Sequence, residues 1–266
     1  MSAAAAARPA RTPHRAAPHA AYVLHRYDWS ESSVILDLLT REQGRLSVAA
    51  KGAKRPYSQL RSVLLPFQKI LVTLGRVPKS DVSDVQASDV QTLRSAEWAG
   101  GAAMLDGAAL FSGFYLNELL MKLTARHDAH PSLFDAYAQT LPHLRSLDDA
   151  AVQAALRAFE LTLLRDLGVL PDLSLVTLTL QAVRPEARYS LLPEAGVGEP
   201  RAEADVSGAT LIGLQAALDH GSLAALQQTC RHALVDLKGL LRGLLHYHLG
   251  SSVLRTRQVM QGVQAL

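Results

Sequence analysis

The hydrophobic pattern along the chain changes its period once, close to Trp98. Between residues 21 and 91 apolar side chains recur at alternate positions in short runs closed by turn residues, the pattern of small half-buried strands. Tyr22, Leu24 and Arg26 alternate with Val23, His25 and Tyr27, and residues 28–32 read as a turn. Residues 34–40 form an apolar run broken by Asp37, and Arg41-Glu42-Gln43-Gly44 follows as a connection whose glycine supplies the positive φ of a hairpin turn. Residues 45–51 alternate again, with Leu46, Val48 and Ala50 on one face. Residues 63–74 are a long apolar stretch, in which Pro66 predicts an edge strand or a bulge because it cannot donate to a ladder. Residues 81–91, with Val82, Val85 and Val90 among aspartates, predict a fifth strand. Five short antiparallel strands in so few residues suit a small closed barrel better than a sandwich.

Beyond Trp98 the period is helical. Met104, Leu105, Ala108, Phe111, Tyr115, Leu116, Leu119, Leu120 and Leu123 keep i, i+3, i+4 spacing and predict a long helix ending near His127. A second helix is expected after Pro131. A third should run from an Asp148/Asp149 cap to Gly168, with Pro171 enforcing the stop. Residues 172–206 lose the period and predict a small hairpin or irregular insert, with residues 193–198 as a loop. Helices resume over 211–218 and 223–249, closed by Gly250, and a short last helix is expected over 255–263. The fold class is therefore α+β: a small antiparallel barrel over 21–98, then an all-α domain over 99–266 with a short non-helical insert near 172–206.

Composition sharpens this picture mainly through charge. The 266 residues are 48% hydrophobic, enough for one large core or two modest ones, with a formal net charge of +3. Residues 1–98 hold 14 Lys+Arg against 8 Asp+Glu, and residues 99–266 hold 13 against 16, so the basicity belongs to the barrel half. The first 20 residues hold three arginines, three prolines and no acid, which predicts a disordered basic tail rather than a transit peptide. No apolar run is long enough to span a membrane. Cys230 is the one cysteine, so no intrachain disulfide or four-cysteine zinc site is available, and it reads as a small buried hydrophobe in a reducing, cytoplasmic setting.

The strongest chemical signal lies in residues 41–61, where Arg41, Arg45, Lys51, Lys54, Arg55 and Arg61 face a single acid, Glu42. Cations on barrel strands and their loops form a track for a phosphate backbone, and Tyr57 among them is a candidate for stacking on a base. The alternative is a protein-interaction scaffold whose basic barrel face meets an acidic partner rather than DNA. The pairs His127/His130 and His246/His248 do not gather three metal ligands, and no phosphate loop, nucleophile elbow or dinucleotide fingerprint is present. No enzyme, metal or cofactor is indicated.

Particular residues then match a known family. The runs Glu31-Ser-Ser-Val-Ile-Leu-Asp-Leu-Leu-Thr-Arg-Glu-Gln-Gly-Arg45, Ala50-Lys-Gly-Ala-Lys-Arg55, Leu60-Arg61, Leu65-Pro-Phe67, Gly113-Phe-Tyr-Leu-Asn-Glu-Leu-Leu120, Leu133-Phe-Asp-Ala-Tyr137, Leu156-Arg-Ala-Phe-Glu160 and Leu249-Gly250 resemble, in order, the bacterial RecO recombination mediators. The resemblance implies an N-terminal OB barrel and a helical C-terminal domain in a nucleoid-associated protein. It implies binding of single- and double-stranded DNA, strand annealing, and loading of RecA onto DNA coated by single-strand-binding protein, with RecR and in some species RecF. It carries DNA contact onto the six basic residues, with Lys51, Lys54 and Arg55 foremost. It also implies a groove in the helical domain for the acidic, Phe-ending tail of single-strand-binding protein, for which Arg126 and Arg157 are the kind of residue required. Many members carry a zinc site in the insert. The corresponding region here reads Val176-Thr-Leu-Thr179 and Gly196-Val-Gly198, which resembles a zinc-free branch held by packing.

Overall fold

The structure, a computed structural model, describes residues 17–75, 90–101, 104–200, 205–250, 254–256 and 258–259. Strands β1 (His19–Asp28), β2 (Val34–Thr40), β3 (Gly44–Ala50), β4 (Lys69–Leu74) and β5 (Val90–Trp98) close a barrel in the order β1-β2-β3-β5-β4. Every ladder is antiparallel except β3 with β5, where Ser47 stands opposite Val90 in parallel register. This is an OB-type barrel, and the helical region after it makes the chain α+β. β1 serves two neighbours by bending: its first residues pair with β4, and its register against β2 slips between Val23 and His25.

The alternation along the strands divides two cores. Ala21, Val23, Leu36, Leu38, Leu46, Val48, Ile70 and Val72 fill the barrel, whereas Tyr22, Leu24, Leu39 and Phe67 join the core of the helical region. Residues 34–40 are almost continuously apolar because the strand is buried on both faces. Each such side chain contributes about 1.5–3 kcal/mol through area removed from water.

The helical region comprises α2 (Gly107–Leu123), α3 (Pro131–His143), α4 (Asp149–Asp166), α5 (Gly208–Asp219), α6 (Leu223–His232) and α7 (Leu234–Leu249); α1 (Leu60–Val63) is a single turn inside the barrel domain. Pro131 opens α3, the Asp148 carboxylate accepts from Ala150 N–H at the start of α4, and Gly250 closes α7 in the left-handed conformation. Asn117 of α2 stitches the two regions together. Its amide donates to the Leu24 carbonyl at 2.9 Å and accepts from the Tyr137 hydroxyl at 2.6 Å, all three residues being buried. Gly44 permits the closest approach: with φ +68°, a Cβ there would stand 1.8 Å from the Asp128 carbonyl oxygen.

Several expectations are corrected. The barrel begins at His19 rather than residue 21; residues 1–16 of the expected tail lie outside the described residues. Pro66 is not in a strand. Residues 60–63 are helical, Pro66 makes an isolated bridge to Val23, and β4 starts only at Lys69, after Phe67 takes φ +66°. The fifth strand runs over Val90–Trp98, and residues 81–89 lie outside the described residues. Its second half is exposed and polar, so alternation did not mark it. α2 stops at Leu123, where Thr124 turns extended and donates its hydroxyl to the Leu120 carbonyl. The single helix expected over 223–249 breaks at Ala233 (φ −130°, ψ 27°) into α6 and α7.

The insert is a three-stranded sheet, β7-β6-β8, of β6 (Arg188–Leu192), β7 (Gly196–Gly198) and β8 (Val206–Ser207), so residues 196–198 are strand rather than loop. Tyr189, Leu191, Val197 and Val206 sink into the helical core. The two segments without cysteine meet directly. Val197 N–H donates to Thr177 Oγ1 at 2.9 Å, and a Cβ on Gly196 would lie 2.1 Å from that oxygen. Among the described residues no group of three or more His, Cys, Asp or Glu is placed to hold a metal ion, and no helix is long and apolar enough to cross a membrane.

Candidate nucleic-acid interface

The loop between β3 and α1 turns on Gly52 (φ +74°) and is pinned by Ala53, which is buried in the barrel core. Residues on either side of that plug are thereby forced outward. Lys51 and Arg55 are exposed, Tyr57 is 99% exposed, and with Gly52, Pro56 and Ser58 they line an open groove. Arg61 is exposed on α1 just beyond. Among the described residues no carboxylate lies within ion-pair range of Lys51, Arg55 or Arg61, so their charge faces solvent.

Lys54 is used differently. Its backbone N–H donates to the Ser32 carbonyl at 2.9 Å, and its ammonium donates to the Ser30 carbonyl and pairs with Asp28, each at 2.9 Å. The Lys54 hydrogen bond and charge hold the Asp28 carboxyl below the usual carboxylate range. Lys54 thus ties the β1–β2 turn to the basic loop.

Arg41 and Arg45 sit at the opposite end of β3, roughly 20 Å from Lys51 at the rise of an extended strand. Arg41 makes a two-pronged pair with Asp135 of α3, its Nε 3.0 Å from Oδ1 and its Nη2 2.9 Å from Oδ2; this pair raises its pKa. Arg45 is half-buried beside Asp37, with Arg126 and Tyr27 nearby, and burial lowers its pKa against the pull of Asp37. Asp37, only 1% exposed, accepts from Ser47 Oγ at 2.6 Å and from the Tyr27 hydroxyl at 3.3 Å, with Arg126 at 3.7 Å. The six basic candidates therefore divide: Lys51, Arg55 and Arg61 are open, Lys54 is a strut, and Arg41 and Arg45 lie in the seam.

A second basic feature contains Arg157, which the sequence offered, together with two cations it did not single out. A cavity of about 220 Å³ between α2, α4 and α7 is lined by Arg157, Lys238 and Arg242 together with Leu156, Leu245 and Leu254. Arg157 Nη2 stands 2.8 Å from Glu160 Oε1, which also accepts from the Tyr115 hydroxyl at 2.6 Å. Glu160 is fully buried, and burial raises its pKa against the opposing effects of Arg157 and Tyr115. Glu118 forms part of the support. Burial pushes its carboxyl up, but hydrogen bonds from Thr256 and Arg255 outweigh this and hold the pKa low, anchoring the segment that supplies Leu254. Lys238 and Arg242, four residues apart on α7, were the available signal. Arg126 lies at the barrel seam and does not line this cavity. Cys230 is buried, and burial pushes its thiol up to about 12, leaving an unreactive hydrophobe.

Fold and surface together define an OB-barrel protein with a helical domain sealed against one end of its β2–β3 hairpin and a cationic loop open at the other. Family comparison makes that class specific. Residues 18–94 match the family model "Recombination protein O N terminal" and residues 104–258 match "Recombination protein O C terminal". Curated proteins called "DNA repair protein RecO" are similar throughout. One from Polaromonas sp. (strain JS666 / ATCC BAA-500) is 48% identical over 249 residues, covering 92% of this chain and 96% of its own length. Another from Variovorax paradoxus (strain S110) is 48% identical over 265 residues, covering 95% and 98%. The chain belongs to the RecO family of DNA repair proteins.

Proposed function

We propose that the chain is a non-enzymatic recombination mediator acting in the cytoplasm at the nucleoid. In this reading the barrel binds single- and double-stranded DNA through the loop carrying Lys51 and Arg55, with Arg61 extending the track. Annealing follows because neutralising two strands on one surface lowers their mutual repulsion. The helical half, with RecR and in some family members RecF, assists the loading of RecA onto DNA coated by single-strand-binding protein. The observation that carries the reading is the exposed pair Lys51 and Arg55 flanking buried Ala53, two cations held outward with no acid beside them.

The cavity lined by Arg157, Lys238 and Arg242 supports the partner side of the same reading. Its cations and leucines suit an acidic peptide ending in an apolar residue, such as the tail of single-strand-binding protein. Two titrations test the proposal. A labelled oligonucleotide titrated at several salt concentrations should give a salt slope that falls in Lys51→Ala/Arg55→Ala. A tail peptide should bind the full chain and lose affinity in Arg242→Ala. Absence of oligonucleotide retention at moderate salt would instead favour the scaffold that meets an acidic protein.

A further inference from the structure

The face that β2 and β3 turn outward is a common oligonucleotide platform in OB barrels, but here it is largely closed. Asp37, Leu39 and Ser47 on it are buried, and Arg126 reaches over Asp37. What remains open is the far end, where residues 28–33 and 51–58 lie side by side. There the turn carries Trp29, a large apolar side chain 55% exposed in an otherwise polar segment. A single exposed aromatic is ordinary on a protein surface, so what distinguishes Trp29 is the cationic loop to which its turn is tied. The turn is ordered without using the indole: Trp29 N–H and Ser30 N–H both reach the Ser33 carbonyl, and Ser33 N–H donates to Ser30 Oγ. Lys54 then clamps the turn to the loop through Asp28, Ser30 and Ser32, and Gly52 N–H adds a 3.4 Å bond to Ser33 Oγ. The turn that carries Trp29 is therefore held against the loop that carries Lys51, Arg55 and Tyr57, and Tyr27 and His25, whose rings lie 4.4 Å apart, stand two and four residues behind it on β1.

We infer that Trp29 is a stacking platform for unpaired bases, and that Lys54 serves to hold it against the phosphate-binding loop. An aromatic face beside cations recognises single-stranded DNA, because bases in a duplex are already stacked on one another. The occupant follows from charge: the turn's remaining acid, Glu31, is outnumbered by Arg26, which faces Asp28, and by Lys51 and Arg55 on the loop tied to the turn. The inference rests on DNA binding by the 51–58 loop and adds to it a preference for single strands.

The chain has two tryptophans, Trp29 and Trp98, so Trp98→Phe leaves Trp29 as the one indole reporter. In that background, an oligo-dT should quench Trp29 emission as it saturates the protein, and a duplex of equal length should bind with little quenching. Trp29→Ala should weaken single-strand binding about tenfold, with an unchanged salt slope and duplex affinity within about twofold, while Trp29→Phe recovers most of the loss. Equal weakening of both DNA forms, or emission that stays put under saturating oligo-dT, overturns the inference: the first makes Trp29 a DNA contact without strand preference, and the second removes it from the DNA site. Anisotropy of labelled DNA separates the two levels. If Lys51→Ala/Arg55→Ala weakens binding and Trp29→Ala does not, only the stacking platform fails. If no DNA is bound at all, the underlying reading fails with it.

Discussion

The two ends of β3 carry the same chemistry and are put to opposite uses. At one end Arg41 and Arg45 meet Asp135 and Asp37 and close the barrel against the helical region; at the other Lys51 and Arg55 are exposed, with no carboxylate among the described residues in ion-pair range. Cations stand at both ends in the sequence, Arg41 and Arg45 at one and Lys51, Lys54 and Arg55 at the other, so their presence alone did not decide which are available. The decision lies with what packs against them. Residues 126–135 of the helical region bring backbone and carboxylates to the first end, whereas the second is covered from within the barrel domain by Ala53, by Leu64 and by the β1–β2 turn.

The contrast can be broken most severely at the sealed end. Gly44→Ala should destabilise the chain by at least about 3 kcal/mol in denaturant titration, because a Cβ collides with the Asp128 carbonyl and the φ is unfavourable for any L side chain. Asn117→Ala should cost about 2–3 kcal/mol, since it strands the buried Leu24 carbonyl and Tyr137 hydroxyl. The open end should behave in the reverse way. Lys51→Ala/Arg55→Ala should change stability by less than about 0.5 kcal/mol, yet weaken single-strand DNA binding about tenfold at physiological salt.

A smaller effect separates the regions by pH. Glu160 has its pKa raised on folding, so it binds its proton more tightly in the native state than in the unfolded chain. Its contribution is present at acid pH and is lost as pH rises from the ordinary carboxylate range, about pH 4, through the raised value. Measured against Glu160→Gln, the wild type should therefore lose relative stability as pH is raised. A relative gain would mean that Arg157 and Tyr115 outweigh burial at this carboxylate.

Much of this was legible in the pattern of side chains. The change of period at Trp98, the hairpin over Val34–Ala50 and the stops at Gly168 and Gly250 follow from local rules, and the structure obeys them. What escaped depended on distant partners. The outer half of β5 is polar because little covers it, the break at Ala233 has neither glycine nor proline to announce it, and the engagement of Arg41 depends on a carboxylate 94 residues away. Trp29 was passed over as part of a turn, because a turn is normally read for its glycines and polar residues rather than for what it presents. Tyr57 was found because it stands among cations in the sequence itself. The cavity on α2, α4 and α7 was hidden because Arg157 and Arg242 converge only after the helices pack.

The most direct test sets the two ends against each other in one assay. The slope of log affinity against log salt for a single-stranded oligonucleotide should fall in magnitude by about 1.4 in Lys51→Ala/Arg55→Ala, two phosphate contacts at about 0.7 each, and stay unchanged in Arg41→Ala. Equal losses at both ends, or a loss confined to Arg41→Ala, would contradict the assignment of the open loop as the DNA-binding end of the barrel.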